Sequence, residues 1–392
     1  MKTNILSLIL ASLLAGLPFL HPAHSVVPAP DGGYPNFTTA EGSNALKDLT
    51  TGVGNTGIGW YSLFTNSSGS YNTGVGAAAL LFNTTGEQNT ATGVAALFNH
   101  STGNGNTAIG SLALFSDTSG QLNTAIGAGA LFSNVGGPFP GSFNTATGAS
   151  ALASNTGGDN TATGTNALGG NTTGNDNTAV GLNALVVNTT GDHNVALGSM
   201  AGSQQTTGSQ NIYIGANIGG VAGESDACYI ASIFGQTSAS GTPVLINSNN
   251  KLGTMTSSKR FKEEIKPMDK ASKALFALRP VTFRYKKEID PAGTAQLGLV
   301  AEDVEKVNPD LVVRDKEGKA YSVRYDQVNA MLLNEFLKEH KVFVEQQRKL
   351  EQQGATIAHQ QKQIEALTAG LQKVSAQLEL NNPVPRTVLN DQ

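Results

Sequence analysis

Ser257 and Lys262 are the strongest candidates for a reactive pair in this sequence, a hydroxyl nucleophile and an amine base five positions apart. A lysine can take the proton of a serine when desolvation or neighbouring cations lower the lysine pKa. Lys259 and Arg260 could supply those cations. A serine that attacks the carbonyl of the preceding residue needs no substrate pocket, because the peptide is already in place. From the residues alone, a plain polar linker with solvated lysines is the alternative.

The composition of the 392-residue chain changes at this pair. Residues 26–256 contain 2 Lys or Arg and 10 Asp or Glu, whereas residues 257–392 contain 22 and 19. Two different kinds of structure are therefore joined there. The net charge of −4 argues against a nucleic-acid partner. The single cysteine, Cys228, excludes an intrachain disulfide, and we expect it to be buried rather than reactive.

Residues 1–25 are typical of a secretory signal peptide. Lys2 precedes an apolar run over residues 5–20, and residues 23–25 form a small-x-small cleavage site. A membrane anchor, the alternative, needs about 20 apolar residues, which is more than this run offers. No later segment is long and apolar enough to span a membrane. The sequence therefore predicts a secreted or cell-surface protein without a transmembrane segment after signal removal.

An asparagine recurs through the first half of the chain at a spacing of 17 residues, except for steps of 21 and 16 on either side of Asn144. Each asparagine has a glycine three residues before it and another four residues after it. The series is Asn55, Asn72, Asn89, Asn106, Asn123, Asn144, Asn160, Asn177, Asn194 and Asn211. Seventeen residues cannot enclose a core alone, so the repeats must stack. The extra residues of the long step, at 134–142 with Pro138 and Pro140, are predicted to form a loop.

Two apolar columns accompany the asparagines. Three positions after each asparagine lies a mostly β-branched residue, from Ile58 to Ile214, and eight positions after it lies a leucine, from Leu63 to Leu185. Each repeat is therefore predicted to contain two short strands separated by glycine turns, with both columns inside a parallel β-solenoid. The stacked asparagine amides should hydrogen-bond along the stack. Disorder, the alternative for a Gly/Asn/Thr-rich tract, does not fit this strict register.

The N-x-A-I-G cores, such as NTAIG at 106–110 and 123–127, resemble the head repeats of YadA-like trimeric autotransporter adhesins. The resemblance covers about residues 37–220 and implies a left-handed β-roll packed as three chains. The repeat here is longer than is usual in that family, and the chain is not expected to be an autotransporter.

The second half of the chain has an α+β pattern. Its motifs resemble, in order, the endosialidase-type intramolecular chaperone, the self-cleaving domain of phage tail spikes and fibres. They are SSKRFKEEI at 257–265, ALFALRPVTFRY at 274–285, GLVAEDVEKVNPDLV at 298–312 and YSVRYDQVNAMLLNEFLKEH at 321–340. The resemblance covers about residues 256–345. It implies a domain that drives trimerisation.

The resemblance also implies self-cleavage between Thr256 and Ser257. The Ser-Asp-x-Arg-x-Lys pattern of that family places Ser257, Arg260 and Lys262 on its serine, arginine and lysine, and Ser258 replaces the usual aspartate. The implied enzyme is an autoproteolytic serine endopeptidase with a Ser–Lys dyad, which acts once on its own chain and needs no cofactor or metal.

A heptad repeat predicts a coiled coil at 331–380. The apolar residues at every seventh position are Phe336, Phe343, Leu350, Ile357, Ile364, Leu371 and Leu378. The second seam position holds Gln346, Gln353 and Gln360 before Leu367 and Val374, and such polar layers fix register and oligomer number. We expect a homotrimer.

The predicted order is a mainly β chain with a signal peptide at 1–25, a lead-in at 26–50, solenoid repeats at 51–220 and a β neck at 221–256. An α+β chaperone domain at 257–330, the coiled coil at 331–380 and a flexible tail at 381–392 follow. This order predicts an exported trimeric fibre or adhesin-like head with a glycan or host-surface ligand.

Two alternatives stay open. One is a purely structural surface rod with a trimerisation domain that does not cleave. The other is an ice- or polysaccharide-binding solenoid that uses the threonine column one position after the asparagines, from Thr56 to Thr178. That column shares the side of the β-branched column and is expected to face inward. A conventional hydrolase is not expected, because His100 and His193 occur singly and without a carboxylate pair.

Overall fold

The computed structural model describes residues 35–135, 141–236 and 238–381, and the chain forms two compact units, divided between residues 237 and 238. The predicted signal peptide, the two prolines of the predicted loop and residues 382–392 of the predicted tail lie outside the described residues.

The first unit is built on one parallel sheet of twelve strands, in which each strand pairs in register with the next strand along the chain. The strands are β1 (Thr39–Glu41), β2 (Thr56–Ile58), β3 (Thr73–Val75), β4 (Thr90–Thr92), β5 (Thr107–Ile109), β6 (Thr124–Ile126), β7 (Thr145–Thr147), β8 (Thr161–Thr163), β9 (Thr178–Val180), β10 (Val195–Leu197), β11 (Ile212–Ile214) and β12 (Cys228–Ile230). The predicted β-solenoid is confirmed. The sheet extends past both ends of the predicted range 51–220, because β1 and β12 make the same backbone pairing without the asparagine motif.

Each coil contains one strand, and not the two that the sequence predicted. The second apolar run forms a turn in which the leucine adopts a left-handed backbone, as at Leu97 with φ 51°. This conformation costs a non-glycine residue on the order of 1–3 kcal/mol. Hydrogen bonds to the next coil offset that cost, for example from the Leu97 N–H to the Ala113 carbonyl at 2.9 Å. The leucines from Leu63 to Leu185 are fully buried and form the predicted interior column.

The inward residue of each strand is the middle one. Ala108 and Ala125 are fully buried, whereas the third residues, Ile109 and Ile126, are 41% and 39% exposed. The prediction that the β-branched column lies inside is therefore wrong, because a strand of three residues directs only its middle side chain to one face. The threonine column at the first position shares the outer face with it, so its predicted inward orientation is also wrong.

Two columns of buried polar side chains flank this Ala and Leu interior. The repeat asparagines form the motif column, in which each amide oxygen accepts from a backbone N–H of the next coil and each amide nitrogen donates to a backbone carbonyl, which is that of a glycine except at Asn211. Asn160 Oδ1 accepts from Asn177 N at 3.0 Å, and Asn177 Nδ2 donates to Gly191 O at 2.8 Å. The predicted amide ladder is confirmed.

The second column lies eleven positions after the motif column. Its members are Asn66, Asn83, His100, Asp117, Asn134, Asn155, Asn171, Asn188 and Gln205, all fully buried. Most of its amide nitrogens donate to the side chain of the preceding member, as Asn188 Nδ2 does to Asn171 Oδ1 at 2.9 Å, whereas Gln205 Nε2 donates to the Glu224 carbonyl. The two columns therefore pair most of the polar groups that the narrow coils bury, although the amide oxygens of Asn83, Asn188 and Gln205 have no hydrogen-bond partner among the described residues.

A glycine follows each strand of the repeat because neither its backbone angle nor the space around it allows another residue. Gly110 has φ +135°, and a Cβ added there would lie 2.5 Å from the Gly127 carbonyl oxygen. A side chain at this position would push adjacent coils apart.

Two tyrosines cover the C-terminal end of the interior. Tyr213 takes the middle position of β11 in place of alanine and stacks on Tyr229 of β12, with ring centroids 5.6 Å apart. Burial, with a smaller effect of Glu224, raises the pKa of Tyr213 to about 12. Cys228 is exposed, contrary to prediction, because it occupies the outward first position of β12.

The second unit contains three separate two-stranded antiparallel sheets and two α-helices. Its elements are β13 (Val244–Ile246), β14 (Leu252–Thr254), the 3₁₀ helices Lys259–Phe261 and Ala271–Ala277, β15 (Val281–Phe283), β16 (Gln296–Gly298), α1 (Ala301–Val307), the 3₁₀ helix Pro309–Leu311, β17 (Val312–Arg314), β18 (Ala320–Val323) and α2 (Tyr325–Leu380). A small core forms around Val304, Leu311 and Val323. The predicted α+β pattern is confirmed.

Helix α2 is 56 residues long and starts at Tyr325, six residues before the predicted coiled coil. Val328 and Met331 in its first turns are buried against the small core. The heptad residues beyond them face solvent, as shown by Phe343 at 54% and Leu371 at 71% exposure. Within the described ranges, no helix has the length and apolar character needed to cross a membrane.

Ser272 joins the 3₁₀ helix Ala271–Ala277 to the N-terminal part of α2 by hydrogen bonds. Its buried hydroxyl accepts from Asn334 Nδ2 at 2.6 Å and from Lys338 Nζ at 3.1 Å, and donates to Glu335. Lys338 Nζ also lies 2.6 Å from Glu335 Oε1. Hydrogen bonds from Lys338 and then Ser272 hold the pKa of Glu335 below its usual value.

Asn177→Ala should destabilise the first unit by about 1–3 kcal/mol, since the buried Asn194 N–H loses its acceptor, while Gly191 O keeps only its hydrogen bond from Asn188 Nδ2. Asn175→Ala, two residues away on the exposed surface, is the matched control, and there water can replace the lost partner. Chemical denaturation followed by circular dichroism measures both free energies of unfolding. Equal losses would contradict a special role of the buried ladder.

The attachment of α2 should weaken in acid. A carboxyl whose pKa is lowered by folding adds stability that is present above its unfolded pKa and is lost as pH falls through its folded pKa. Hydrogen exchange of residues 271–277 should therefore accelerate across this acid range in the wild type more than in Glu335→Gln. Identical pH profiles for the two proteins would show that Glu335 does not hold the helix.

Candidate active site

Ser257 and Lys262 contact each other, as Lys262 Nζ donates to Ser257 Oγ at 3.0 Å. Five residues of extended chain would separate their Cα atoms by about 17 Å. One turn of 3₁₀ helix at Lys259–Phe261 shortens that distance and turns Lys262 back toward the serine. The pair predicted from the sequence is thus brought together within one short segment.

The turn is held by its own backbone. The Phe261 N–H donates to the Ser258 carbonyl at 3.0 Å, and the Lys262 N–H donates to the Lys259 carbonyl at 3.1 Å. The Arg260 guanidinium lies over the Phe261 ring, 4.6 Å from the ring centroid. Ser258 precedes the turn, but its side chain makes no capping hydrogen bond. The turn that brings Ser257 and Lys262 together is therefore held by backbone hydrogen bonds and does not depend on the two side chains.

The predicted supporting residues do not touch the pair. Within the described part of the chain, neither Lys259 nor Arg260 has a side-chain hydrogen bond or ion pair with Ser257 or Lys262, and Arg260 is directed to Phe261 instead. Their effect on the basicity of Lys262 stays a prediction.

The whole segment from Thr256 to Lys262 is exposed in the single chain. In the observed contact the lysine is the donor, whereas a general base must accept the proton of the hydroxyl. Water stabilises the charged form of a lysine, and removal of water favours the neutral amine. The segment therefore has the geometry of a nucleophile and its base, and burial by further chains would supply the environment for proton transfer.

A groove of about 730 Å³ lies next to this segment, within the second unit. It is bordered by Leu245 and Met255 on the β13–β14 side and by Arg314 and Tyr321 on the β17–β18 side. The bordering residues include both apolar and charged side chains, and Met255 is the residue before Thr256. The described residues contain no group of three or more His, Cys, Asp or Glu side chains that could hold a metal ion.

Sequence reasoning missed the partners of both repeat histidines. His100 Nδ1 lies 2.8 Å from Asp117 Oδ2, and His193 Nε2 lies 3.6 Å from Asp176 Oδ2. Each pair is separated by 17 residues, the period of the repeat, so the spacing itself could have revealed both.

Residues 257–313 match the protein family described as the chaperone of endosialidase. The match begins at Ser257 and contains three of the four C-terminal motifs, which supports a chaperone domain in the second unit. No curated protein and no solved structure matches the chain. The resemblance of the repeats to YadA-like heads stays a prediction.

Ser257→Ala and Lys262→Gln should change the free energy of unfolding of the second unit by no more than about 0.5 kcal/mol, because both side chains are exposed and the turn rests on its backbone. Thermal and denaturant unfolding of the full chain measure this. A clear loss of stability in either variant would indicate a structural role for the contact.

Proposed function

We propose that the chain is an exported trimeric fibre or adhesin-like head whose C-terminal domain guides trimer assembly and then cleaves itself from the rod between Thr256 and Ser257. The 3.0 Å contact between Lys262 Nζ and Ser257 Oγ, at the first residue of the segment matched to the chaperone family, carries this proposal.

The proposed reaction needs the serine, the lysine and one water. Ser257 Oγ attacks the Thr256 carbonyl carbon while Lys262 Nζ accepts the hydroxyl proton. A C–O bond forms, the C–N bond breaks, and the lysine returns the proton to the leaving nitrogen, which leaves an ester. Water then hydrolyses the ester, giving a Thr256 carboxylate and restoring the Ser257 hydroxyl. Each chain reacts once.

The exposed seam of α2 supports the association of several chains. Seven heptad positions from Phe336 to Leu378 are apolar and face solvent in one chain, and an apolar seam of this length is stable when partner helices cover it. A match to the chaperone of endosialidase implies trimer assembly, so three copies are the proposed number.

The outer face of the parallel sheet supports the same assembly. Its outward positions carry no Lys, Arg, Asp or Glu from β2 to β12. Ile58, Ile126 and Ile214 on this face are each about 40% exposed, at 40%, 39% and 39%. Three such uncharged faces could bury one another along the rod.

The order of events follows from the topology. A sheet of parallel coils forms through pairings that are distant in sequence, and its edge strands can pair with a wrong chain. Association through α2 would align three chains before the coils form. Cleavage would then remove the nucleating domain and make the assembled rod slow to unfold.

An ice- or polysaccharide-binding solenoid is a second candidate, which the outward threonines favour. Thr90, Thr145 and Thr161 present hydroxyls on a flat face with about 4.8 Å between adjacent strands. This use requires a free face, whereas assembly through that face covers it. The native size of the protein therefore bears on both proposals.

Full-length wild type and Ser257→Ala, compared by intact mass and native size, test the proposal. The wild type should give two fragments, one that ends at Thr256 and one that begins at Ser257. The variant should stay uncut, and both proteins should be trimers. Lys262→Gln should slow cleavage by about 100-fold or more, the usual contribution of a general base.

Ser258→Ala is the matched control and should still cleave, because the Ser258 side chain makes no capping hydrogen bond to the turn that positions the pair. A wild type that forms trimers but stays uncut would contradict self-cleavage and leave only the role in assembly. Monomers with ordered coils would overturn the whole proposal.

A further inference from the structure

The second column of the first unit contains one pair of titratable side chains among its described members, His100 and Asp117. They lie in adjacent coils and are both fully buried. The other members of the column are neutral amides. The self-cleavage chemistry does not use this pair.

The contacts of His100 define its protonation. Nε2 lies 2.8 Å from the Gly103 carbonyl oxygen, which can only accept, so this nitrogen carries a proton. Nδ1 lies 2.8 Å from Asp117 Oδ2, and Asp117 Oδ1 accepts from the Gly120 N–H at 3.2 Å and from Asn134 Nδ2 at 3.0 Å. We assign the proton between Nδ1 and Oδ2 to the imidazole, the more basic of the two groups, which gives an imidazolium paired with a carboxylate and no net charge.

The pair reverses the direction of the ladder. Amide members donate to the preceding coil, as Asn83 Nδ2 does to Asn66 Oδ1 at 2.6 Å, whereas His100 donates to the following coil. Asn83 Oδ1 is consequently buried without a hydrogen-bond partner. An asparagine at position 100 could donate to both Asn83 and Gly103, so local hydrogen bonding does not explain the histidine.

Among the described residues, the pair contacts the neutral amides Asn106 and Asn134, and the backbone of neighbouring glycines lies beside it. Asp117 opposite an amide would therefore be a buried charge without a counter-charge, whereas His100 opposite an amide can release its proton and become neutral. Breaking a buried pair in this way is much more destabilising than replacing both partners.

We propose that the His100–Asp117 pair fixes the register of the coil stack during folding. The coils are so alike that a skipped or exchanged coil would preserve most contacts. If the coil of residues 89–105 were skipped, however, Asp117 would face Asn83 as a buried carboxylate without a cation, and His100 would leave the interior. Buried polar residues serve the same purpose in coiled coils, where they discriminate against slipped alignments.

Single and double substitutions test the electrostatic part. In Asp117→Asn, a neutral His100 can keep its bond to Gly103 and accept from the new amide in the usual direction of the ladder. In His100→Asn, the carboxylate loses its cation. His100→Asn should therefore lower the thermal midpoint more than Asp117→Asn does, and the double variant should recover most of the loss. Equal, additive effects would overturn the assignment.

Disulfide probes in a Cys228→Ser chain test the register. Thr73→Cys with Thr107→Cys places thiols two strands apart, about 9.6 Å, which exceeds the reach of a disulfide unless the intervening coil is skipped. Thr90→Cys with Thr107→Cys, on paired neighbours, reports correct stacking.

The matched probe is Thr145→Cys with Thr178→Cys, which spans the coil of β8. The second-column residues of that coil and of the coils on either side are all asparagine. After refolding in a thiol–disulfide buffer, this probe should cross-link more than the Thr73–Thr107 probe does. The double variant His100→Asn with Asp117→Asn should raise the Thr73–Thr107 cross-link to the level of the matched probe. Equal cross-linking at both sites without that double substitution would overturn the proposal.

Discussion

No coil of the first unit can satisfy its own backbone, and this constraint explains most of its structure. A strand of three residues and a turn of left-handed leucines leave donors and acceptors that only the next coil can pair, as Leu97 does with Ala113. The glycine after each strand lets adjacent coils approach closely enough for those bonds. The asparagines of the motif column pair backbone donors and acceptors that the strands and turns leave over. Stability is therefore a property of the stack and not of any single repeat.

The repeating elements of the first unit were predictable from the sequence, whereas the side chains that face its interior were assigned wrongly. The period, the asparagine ladder and the buried leucines followed from spacing alone. The orientation of Ile109 and Ile126 did not, because apolar character was taken as a sign of burial within one chain. Alanine in the middle of the strand is the inward residue, since the leucine column already fills a narrow interior. Apolar side chains outside such a core are the surface that the proposed trimer would cover.

The spacing of Ser257 and Lys262 named the two side chains but not the turn that brings them into contact, because that turn depends on local backbone hydrogen bonds. The direction of Arg260 was not predictable from charge, since its guanidinium lies over the ring of Phe261. The catalytic role of the pair and the effect of Lys259 and Arg260 on it stay predictions.

The identical pairing of successive strands has a consequence for how such a protein can vary. Because each coil presents the same faces to the coils before and after it, a tandem duplication or deletion of one repeat changes the reach of the rod by about 4.8 Å and creates no new kind of contact. Recombination between similar repeats could therefore change the length of the stack of coils in steps of one repeat. The stretch that joins β4 to β6 is the exception, since its coils are not interchangeable, and variation in length should be concentrated elsewhere along the rod.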